Sequence, residues 1–180
     1  MIAMIVVAGE ALIDRIVRAD GSVQDRPGGA PFNTARTIAR LGVPVAFLGA
    51  LSTDPSGVVL RAALDSDGVD LSRVVLTDAP TTLAIARLDA TGIATYEFET
   101  AGTSAAQLAA DGIQSALAAR PRAFYLGSLG LVIEPLATNL DEAMAGVARD
   151  TFVMVDPNCR PSRMRTSRSP RRRGGRWPGS

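Results

Sequence analysis

The chain has 180 residues, of which 47% are hydrophobic, and this is enough apolar material to form the core of one domain. It contains no histidine, which excludes histidine-dependent catalytic triads and zinc sites. The single cysteine, Cys159, cannot form an intramolecular disulfide, and no apolar run is long enough for a membrane span, so we expect a cytoplasmic protein that does not enter the membrane.

The net charge of +1 is unevenly distributed along the chain. Residues 163–180 hold seven of the 19 basic residues and no acidic residue, so residues 1–162 contain all 18 acidic residues. Residues 163–180 consist mainly of Arg, Ser, Pro and Gly, and this composition predicts a disordered basic tail. The abrupt change after residue 162 favours a frameshift product as its origin. The alternative is a natural arm that binds nucleic acid, which the lack of interleaved aromatic residues disfavours.

Strand and helix patterns alternate in much of the chain, which indicates an α/β fold. Residues 4–8 are a short apolar run, as in a buried parallel strand. Pro31 begins a helical pattern that Gly42 is placed to end, and Thr53 or Asp54 is predicted to cap a second helix. The remaining predicted elements are strands at 43–48, 124–126 and 152–155 and helices at 109–119 and 136–148.

Two hairpins interrupt this alternation, at about 10–27 and about 80–99. The first turns at Asp20-Gly21, a pair that supplies the positive φ angles of a tight turn. We expect it to lie outside the main sheet because it carries more polar residues. The last predicted strand leads into Asp156-Pro157-Asn158, at the end of the sheet where open α/β folds bind their ligands.

The glycine pair Gly28-Gly29 leads directly into a helix whose first turn carries Asn33. Adjacent glycines let a ligand approach the backbone closely, and the N–H groups of a helix start can donate to its oxygens. The amide side chain of Asn33 can both donate to and accept from a hydroxyl group. The alternative interpretation is an ordinary turn and helix cap.

Several motifs of this chain resemble those of PfkB-type, or ribokinase-like, carbohydrate kinases in order and spacing, and fructokinases and 2-keto-3-deoxygluconate kinases in particular. The resemblance extends from about Val6 to about Pro161. The matching segments are Gly9-Glu10-Ala11-Leu12-Ile13-Asp14, Gly28-Gly29, Ala39-Arg40-Leu41-Gly42, residues 49–57, residues 78–82, residues 127–130 and residues 156–161.

The resemblance implies a doubly wound, mainly parallel sheet with a small β lid, formed by the two hairpins, and ATP-dependent phosphorylation of a sugar hydroxyl. Residues 1–162 would be the N-terminal part of such a domain, truncated at its C-terminal half. Asp14 resembles the family aspartate that accepts hydrogen bonds from sugar hydroxyls; the alternative is a solvated hairpin carboxylate. Gly28, Gly29 and Asn33 resemble the turn that grips the sugar.

Other candidate substrate-binding residues follow from the same resemblance. Tyr96 and Phe98 lie on the second hairpin, where one of them could cover a sugar face, or both could be part of the lid core. Arg160 resembles an arginine that reaches acidic or hydroxyl groups of the substrate. Asn158 and Glu134 are further candidates, although Asp156 and Asn158 could simply form an Asx turn.

The family's catalytic base is an aspartate in a Gly-Ala-Gly-Asp motif, and no Gly-x-Gly-Asp occurs in this sequence. The family also implies ATP and Mg²⁺, whose binding segments belong to the half that does not match here. We therefore expect no catalytic residue, no metal ligand and little or no kinase activity. The alternatives are a non-catalytic sugar-binding fragment, a homodimer formed through the lid, or a nucleic-acid binder that uses the basic tail.

Overall fold

The computed structural model describes residues 4–158. Within them, strands and helices alternate along most of the chain, as the sequence predicts. The strands are β1 (Ile5–Ala8), β2 (Leu12–Val17), β3 (Val23–Gly28), β4 (Val45–Leu48), β5 (Ala50–Ser52), β6 (Val75–Thr77), β7 (Leu83–Leu88), β8 (Ala94–Glu99), β9 (Ala123–Gly127) and β10 (Phe152–Asp156). The α-helices are α1 (Ala30–Arg40), α2 (Pro55–Ser66), α3 (Ala110–Ala118) and α4 (Leu136–Met144), and short 3-10 helices cover Ser104–Gln107 and Ser128–Leu131.

The main sheet is parallel and has the strand order β10-β9-β1-β4. Its strands are short apolar runs because both faces are covered by helices. Phe32 of α1 and Leu60 of α2 pack on one face, whereas Ile113 of α3 and Leu140 of α4 pack on the other. This arrangement confirms the predicted α/β class with helices on both sides of the sheet.

A second sheet has the order β3-β2-β7-β8 and is the lid of this fold. Each hairpin is antiparallel within itself, and the two hairpins join through the parallel pair β2–β7, in which Asp14 lies opposite Ala84. The first hairpin turns at Asp20, whose carboxylate accepts a hydrogen bond from the Ser22 N–H at 2.8 Å. The lid thus consists of two segments that are far apart in sequence.

Helix ends follow the local sequence in most places. Asp54 is the N-cap of α2, and its Oδ1 accepts a hydrogen bond from the Gly57 N–H at 2.7 Å. Gly42 has a φ of 75°, the left-handed conformation expected just after α1. Helix α4 ends at Met144 instead of Ala148, because Gly146 donates its N–H to Ala143 in a tighter turn.

A chain of hydrogen-bonded hydroxyl groups joins the two ends of the second lid hairpin. The Thr103 hydroxyl donates to the Thr100 carbonyl at 2.8 Å, so the Thr82 hydroxyl, 2.7 Å from it, is the donor to Thr103. The Thr82 hydroxyl in turn accepts from the Ala105 N–H at 3.2 Å. Because Thr82 and Thr103 are buried, these bonds fix the two ends of the hairpin where it leaves the main domain.

The neighbouring Thr81 is held by Asp54. Its N–H and its hydroxyl donate to the Asp54 carboxylate at 2.8 and 2.6 Å. Burial opposes the charge on Asp54, but the hydrogen bonds from Thr81 and Gly57 outweigh it and hold the pKa of this carboxyl below its usual value. The same carboxylate therefore caps α2 and anchors the start of β7.

No helix within residues 4–158 is both long enough and apolar enough to cross a membrane. The predictions for Cys159, for Arg160 and for the basic tail at 163–180 lie outside the described residues.

Substituting Thr82→Val should destabilise the fold. The change keeps the shape of the side chain but leaves the buried Ala105 N–H without its acceptor, which typically costs about 1–3 kcal/mol. Denaturant unfolding measures the change in the free energy of unfolding. Thr95→Val, at an exposed position of β8, is the matched control and should change it by less than about 0.5 kcal/mol. Equal effects of the two substitutions would contradict a structural role for the hydroxyl chain.

Candidate functional site

The glycine pair connects the lid to the main domain. Gly28 ends β3, Gly29 is the N-cap of α1 with a φ of 108°, and Ala30 begins the helix. A Cβ atom at Gly29 would lie 2.8 Å from the Glu10 carbonyl oxygen, so a larger residue would fit neither the space nor the left-handed backbone. Gly29 is therefore required by the geometry of this turn.

Asp14 lies directly beside this turn. It is on β2, opposite Arg26 of β3, and its side chain is exposed. A Cβ atom at Gly28 would overlap with the Asp14 carboxylate, so the carboxylate occupies the space that the glycine leaves open. The structure thus brings together two predicted site residues from opposite strands of the first hairpin.

Asn33 lies one turn into α1, and its side chain is exposed. Its backbone N–H donates to the Gly29 carbonyl at 2.9 Å, which is the first hydrogen bond of the helix. The glycine pair thus has the Asp14 carboxylate on the strand side and Asn33 on the helix side. Together the two side chains offer hydrogen-bond acceptors and a donor on either side of the glycine pair.

Tyr96 and Phe98 lie on the same lid face as Asp14. Phe98 is opposite Ala84, and Ala84 is opposite Asp14, so Asp14 and Phe98 share one cross-strand row, about 10 Å apart by strand spacing. Tyr96 is two residues away along β8 and therefore points to the same face. Tyr96 is 62% exposed whereas Phe98 is half-buried, so Tyr96 has the larger surface available for contact.

A second group of polar residues lies at the carboxyl ends of β9 and β10. The Asp156 carboxylate accepts from the Asn158 N–H at 3.1 Å, which is the Asx turn considered from the sequence. The Asn158 side chain donates to the Ser128 hydroxyl at 3.4 Å, and the Tyr125 hydroxyl donates to Asp156 at 3.5 Å. These contacts give Asp156 and Asn158 a structural role at this edge.

Glu134 lies at the start of α4, where its carboxylate accepts from the Thr138 N–H at 3.3 Å. This contact is a helix-capping interaction and accounts for an acidic residue at that position. Glu134 is exposed.

Glu10 is the most unusual polar residue near the glycine pair. It is 1% exposed, its Oε2 accepts from the Gly130 N–H at 2.9 Å, and its Oε1 has no hydrogen-bond partner among the described residues. Burial raises the pKa of this carboxyl to about 7. Hydrogen bonds with the backbone of Gly130 and Ala30 and with the Ser128 side chain lower the pKa, but by less than burial raises it. Glu10 was not among the predicted site residues, because the only sequence feature that indicated its burial is its position between two apolar segments.

Tyr125 links this region to the second polar group. Burial raises the pKa of its phenol, a hydrogen bond with Thr34 lowers it, and the negative charges of Asp156 and Glu10 raise it further. Tyr125 therefore connects Thr34 of α1 with Asp156 at the end of β10.

Within residues 4–158 no group of three or more His, Cys, Asp or Glu side chains is placed to hold a metal ion.

Relatives of known name match most of this chain. It is 32% identical to a fructokinase of Rhizobium leguminosarum bv. trifolii over 163 residues, which is 88% of this chain and 49% of the relative. It is 35% identical to fructokinase-1 of Zea mays over 167 residues, or 87% of this chain and 51% of the relative. The chain spans about half the length of these relatives.

Solved structures show the same fold. The crystal structure of a fructokinase from Xylella fastidiosa superposes with a TM-score of 0.79 at 30% identity and covers 89% of this chain and 54% of that one. A structure described as fructokinase with bound ATP from the same organism gives a TM-score of 0.80 at 29% identity, over 90% of this chain and 51% of that one. The family model of the pfkB family carbohydrate kinases matches residues 2–170. The chain therefore belongs to the pfkB family of carbohydrate kinases.

Proposed function

We propose that this chain binds a sugar of the fructose type at the Gly28-Gly29 turn. The observation that carries the proposal is the position of the exposed Asp14 carboxylate directly against Gly28, beside the start of the helix that carries Asn33. The names of the relatives support fructose as the first sugar to test, and 2-keto-3-deoxygluconate is the second because of the sequence resemblance.

Asp14 supplies the strongest interaction in this proposal. An ionised carboxylate accepts hydrogen bonds from two adjacent hydroxyls at once, and such charge-assisted bonds are about twice as strong as neutral ones. The exposed Asn33 amide can bond a further hydroxyl.

The lid contributes an apolar surface. Tyr96 and Phe98 share the face of the lid that carries Asp14, so one ring can cover a face of the sugar while Asp14 bonds its hydroxyls. Tyr96 is the better candidate because it is 62% exposed. Arg160, which lies outside the described residues, would contact a further substrate group.

In this proposal the chain does not phosphorylate the sugar by itself. Phosphoryl transfer needs a base for the acceptor hydroxyl and groups that stabilise the charge on the transferred phosphate. The sequence has no Gly-x-Gly-Asp motif to supply this base. ATP and Mg²⁺ belong to the activity of the family, and the proposal includes no step that depends on either of them.

We also propose that two copies associate through their lids. The outer lid strands, β3 and β8, have no further partner strand among residues 4–158, and Val23 and Tyr96 on them are more than half exposed. Edge strands of this kind pair readily with another chain.

A cytoplasmic location remains a prediction from the single cysteine.

Asp14→Asn should weaken fructose binding about tenfold or more, because hydrogen bonds to a charged acceptor contribute about 1.5–3 kcal/mol. Isothermal titration calorimetry of the purified chain measures the Kd. Asp20→Asn is the matched control, since Asp20 is an exposed aspartate at the tip of the same hairpin, and it should leave the Kd unchanged. Binding that is equally strong in both variants would overturn the role of Asp14.

A coupled assay for ADP should detect no turnover with ATP and either fructose or 2-keto-3-deoxygluconate, although the sugar still binds. The reason is that the sequence contains no Gly-x-Gly-Asp motif, which supplies the base in the family. A fructokinase of full family length, assayed in parallel, is the positive control. Sustained ADP release that depends on the sugar would contradict the proposed non-catalytic role.

A further inference from the structure

We propose that Glu10 is a positioning residue for sugar binding, which fixes the glycine turn at Gly28-Gly29 against the turn at residues 127–130. This inference rests on the proposed sugar site at the glycine pair. Glu10 is too buried to touch a ligand at the surface, so its effect on binding would be transmitted through the backbone of these two turns.

The two turns meet at Glu10 with little free space. On one side, the Glu10 carbonyl lies 2.8 Å from where a Cβ of Gly29 would be. On the other, its Oε2 accepts from the Gly130 N–H at 2.9 Å and is 3.5 Å from where a Cβ of Gly130 would be. Gly130 also packs against Gly9, with 3.3 Å between that Cβ position and the Gly9 Cα. A shift of Glu10 would therefore move both turns.

The Glu10 carboxylate can strengthen or weaken these contacts because its charge can change near neutral pH. Its Oε1 lacks a hydrogen-bond partner among residues 4–158, which makes the charged form costly in the buried site. Burial raises the pKa to about 7. When charged, the carboxylate accepts stronger hydrogen bonds from N–H groups such as that of Gly130 and attracts the N–H of Ala30.

The surroundings of Glu10 contain few other charges. The groups that face it from α1 and from the 127–130 turn, the Ala30 N–H, the Gly130 N–H and the Ser128 hydroxyl, are neutral. From β9 it faces Tyr125, whose pKa is raised, so this phenol stays neutral near pH 7. From β10, Asp156 contacts that same phenol. Glu10 is thus the group in this cluster whose charge changes near pH 7.

The expected effects of pH on stability and on binding have opposite signs. The pKa of Glu10 is higher in the folded chain than the usual value of 4.5, so its contribution to stability is complete below about pH 4.5 and is lost as the pH rises to about 7. Sugar affinity should rise over the upper part of this range, because the charged carboxylate holds the two turns more firmly. A purely structural role would change stability with pH but would leave the Kd constant.

The test is a calorimetric titration of the wild-type chain with fructose between pH 5.5 and 8.5, with the Tm measured at each pH. We expect the Kd to improve about fivefold with a midpoint near pH 7 while the Tm falls. Glu10→Gln should bind at the weaker, low-pH level at every pH, because the amide cannot ionise. Glu142→Gln, at an exposed position of α4, is the control and should behave as wild type.

Amide NMR shifts of Gly29, Ala30 and Gly130 provide a readout that needs neither sugar nor a variant. They should titrate together in the wild-type chain with a midpoint near pH 7. Absence of this common midpoint would overturn the inference, as would a Kd that is independent of pH while Asp14→Asn still weakens binding. If the wild-type chain binds neither fructose nor 2-keto-3-deoxygluconate at any pH, the proposed function fails first and the inference fails with it.

Discussion

Three backbone segments meet at the carboxyl end of β1, and glycines make this approach possible. A side chain at Gly29 would collide with the Glu10 carbonyl, and one at Gly28 would collide with the Asp14 carboxylate. Protein interiors are packed so closely that such contacts leave no room for even one added methyl group. The position of the Asp14 carboxylate, the start of α1 and the 127–130 turn all depend on this packing.

The two carboxylates at this junction are in opposite environments, and this difference assigns them different roles. Asp14 is exposed, whereas Glu10 is buried and its Oε1 has no hydrogen-bond partner within residues 4–158. An exposed carboxylate can bond the hydroxyls of a ligand, whereas burial raises the pKa of a carboxyl because desolvation disfavours its charged form. On the lid, Tyr96 and Phe98 lie on the same face of the sheet as the exposed Asp14 carboxylate.

Much of this fold could be predicted from the sequence because local signals coincide with the final structure. Pro31 and Gly42 lie near the ends of α1, and Asp54 caps α2, as their residue types indicate. The short strands β5 and β6 were not predicted, because a pairing of only three residues has no periodicity to detect. The burial of Glu10 was not predicted either, because it depends on Gly130, which is 120 residues away in sequence.

The site residues were proposed from motifs, and the structure places the Asp14 carboxylate against Gly28 while it gives Asn158 and Glu134 structural partners. Mapping of amide and side-chain NMR shifts as fructose is added to the full chain would test the sugar site most directly. The account predicts the largest shifts at Gly28, Gly29 and the Asn33 side-chain amide. Saturable shifts confined to other parts of the chain, or no saturable shifts with either fructose or 2-keto-3-deoxygluconate, would contradict it.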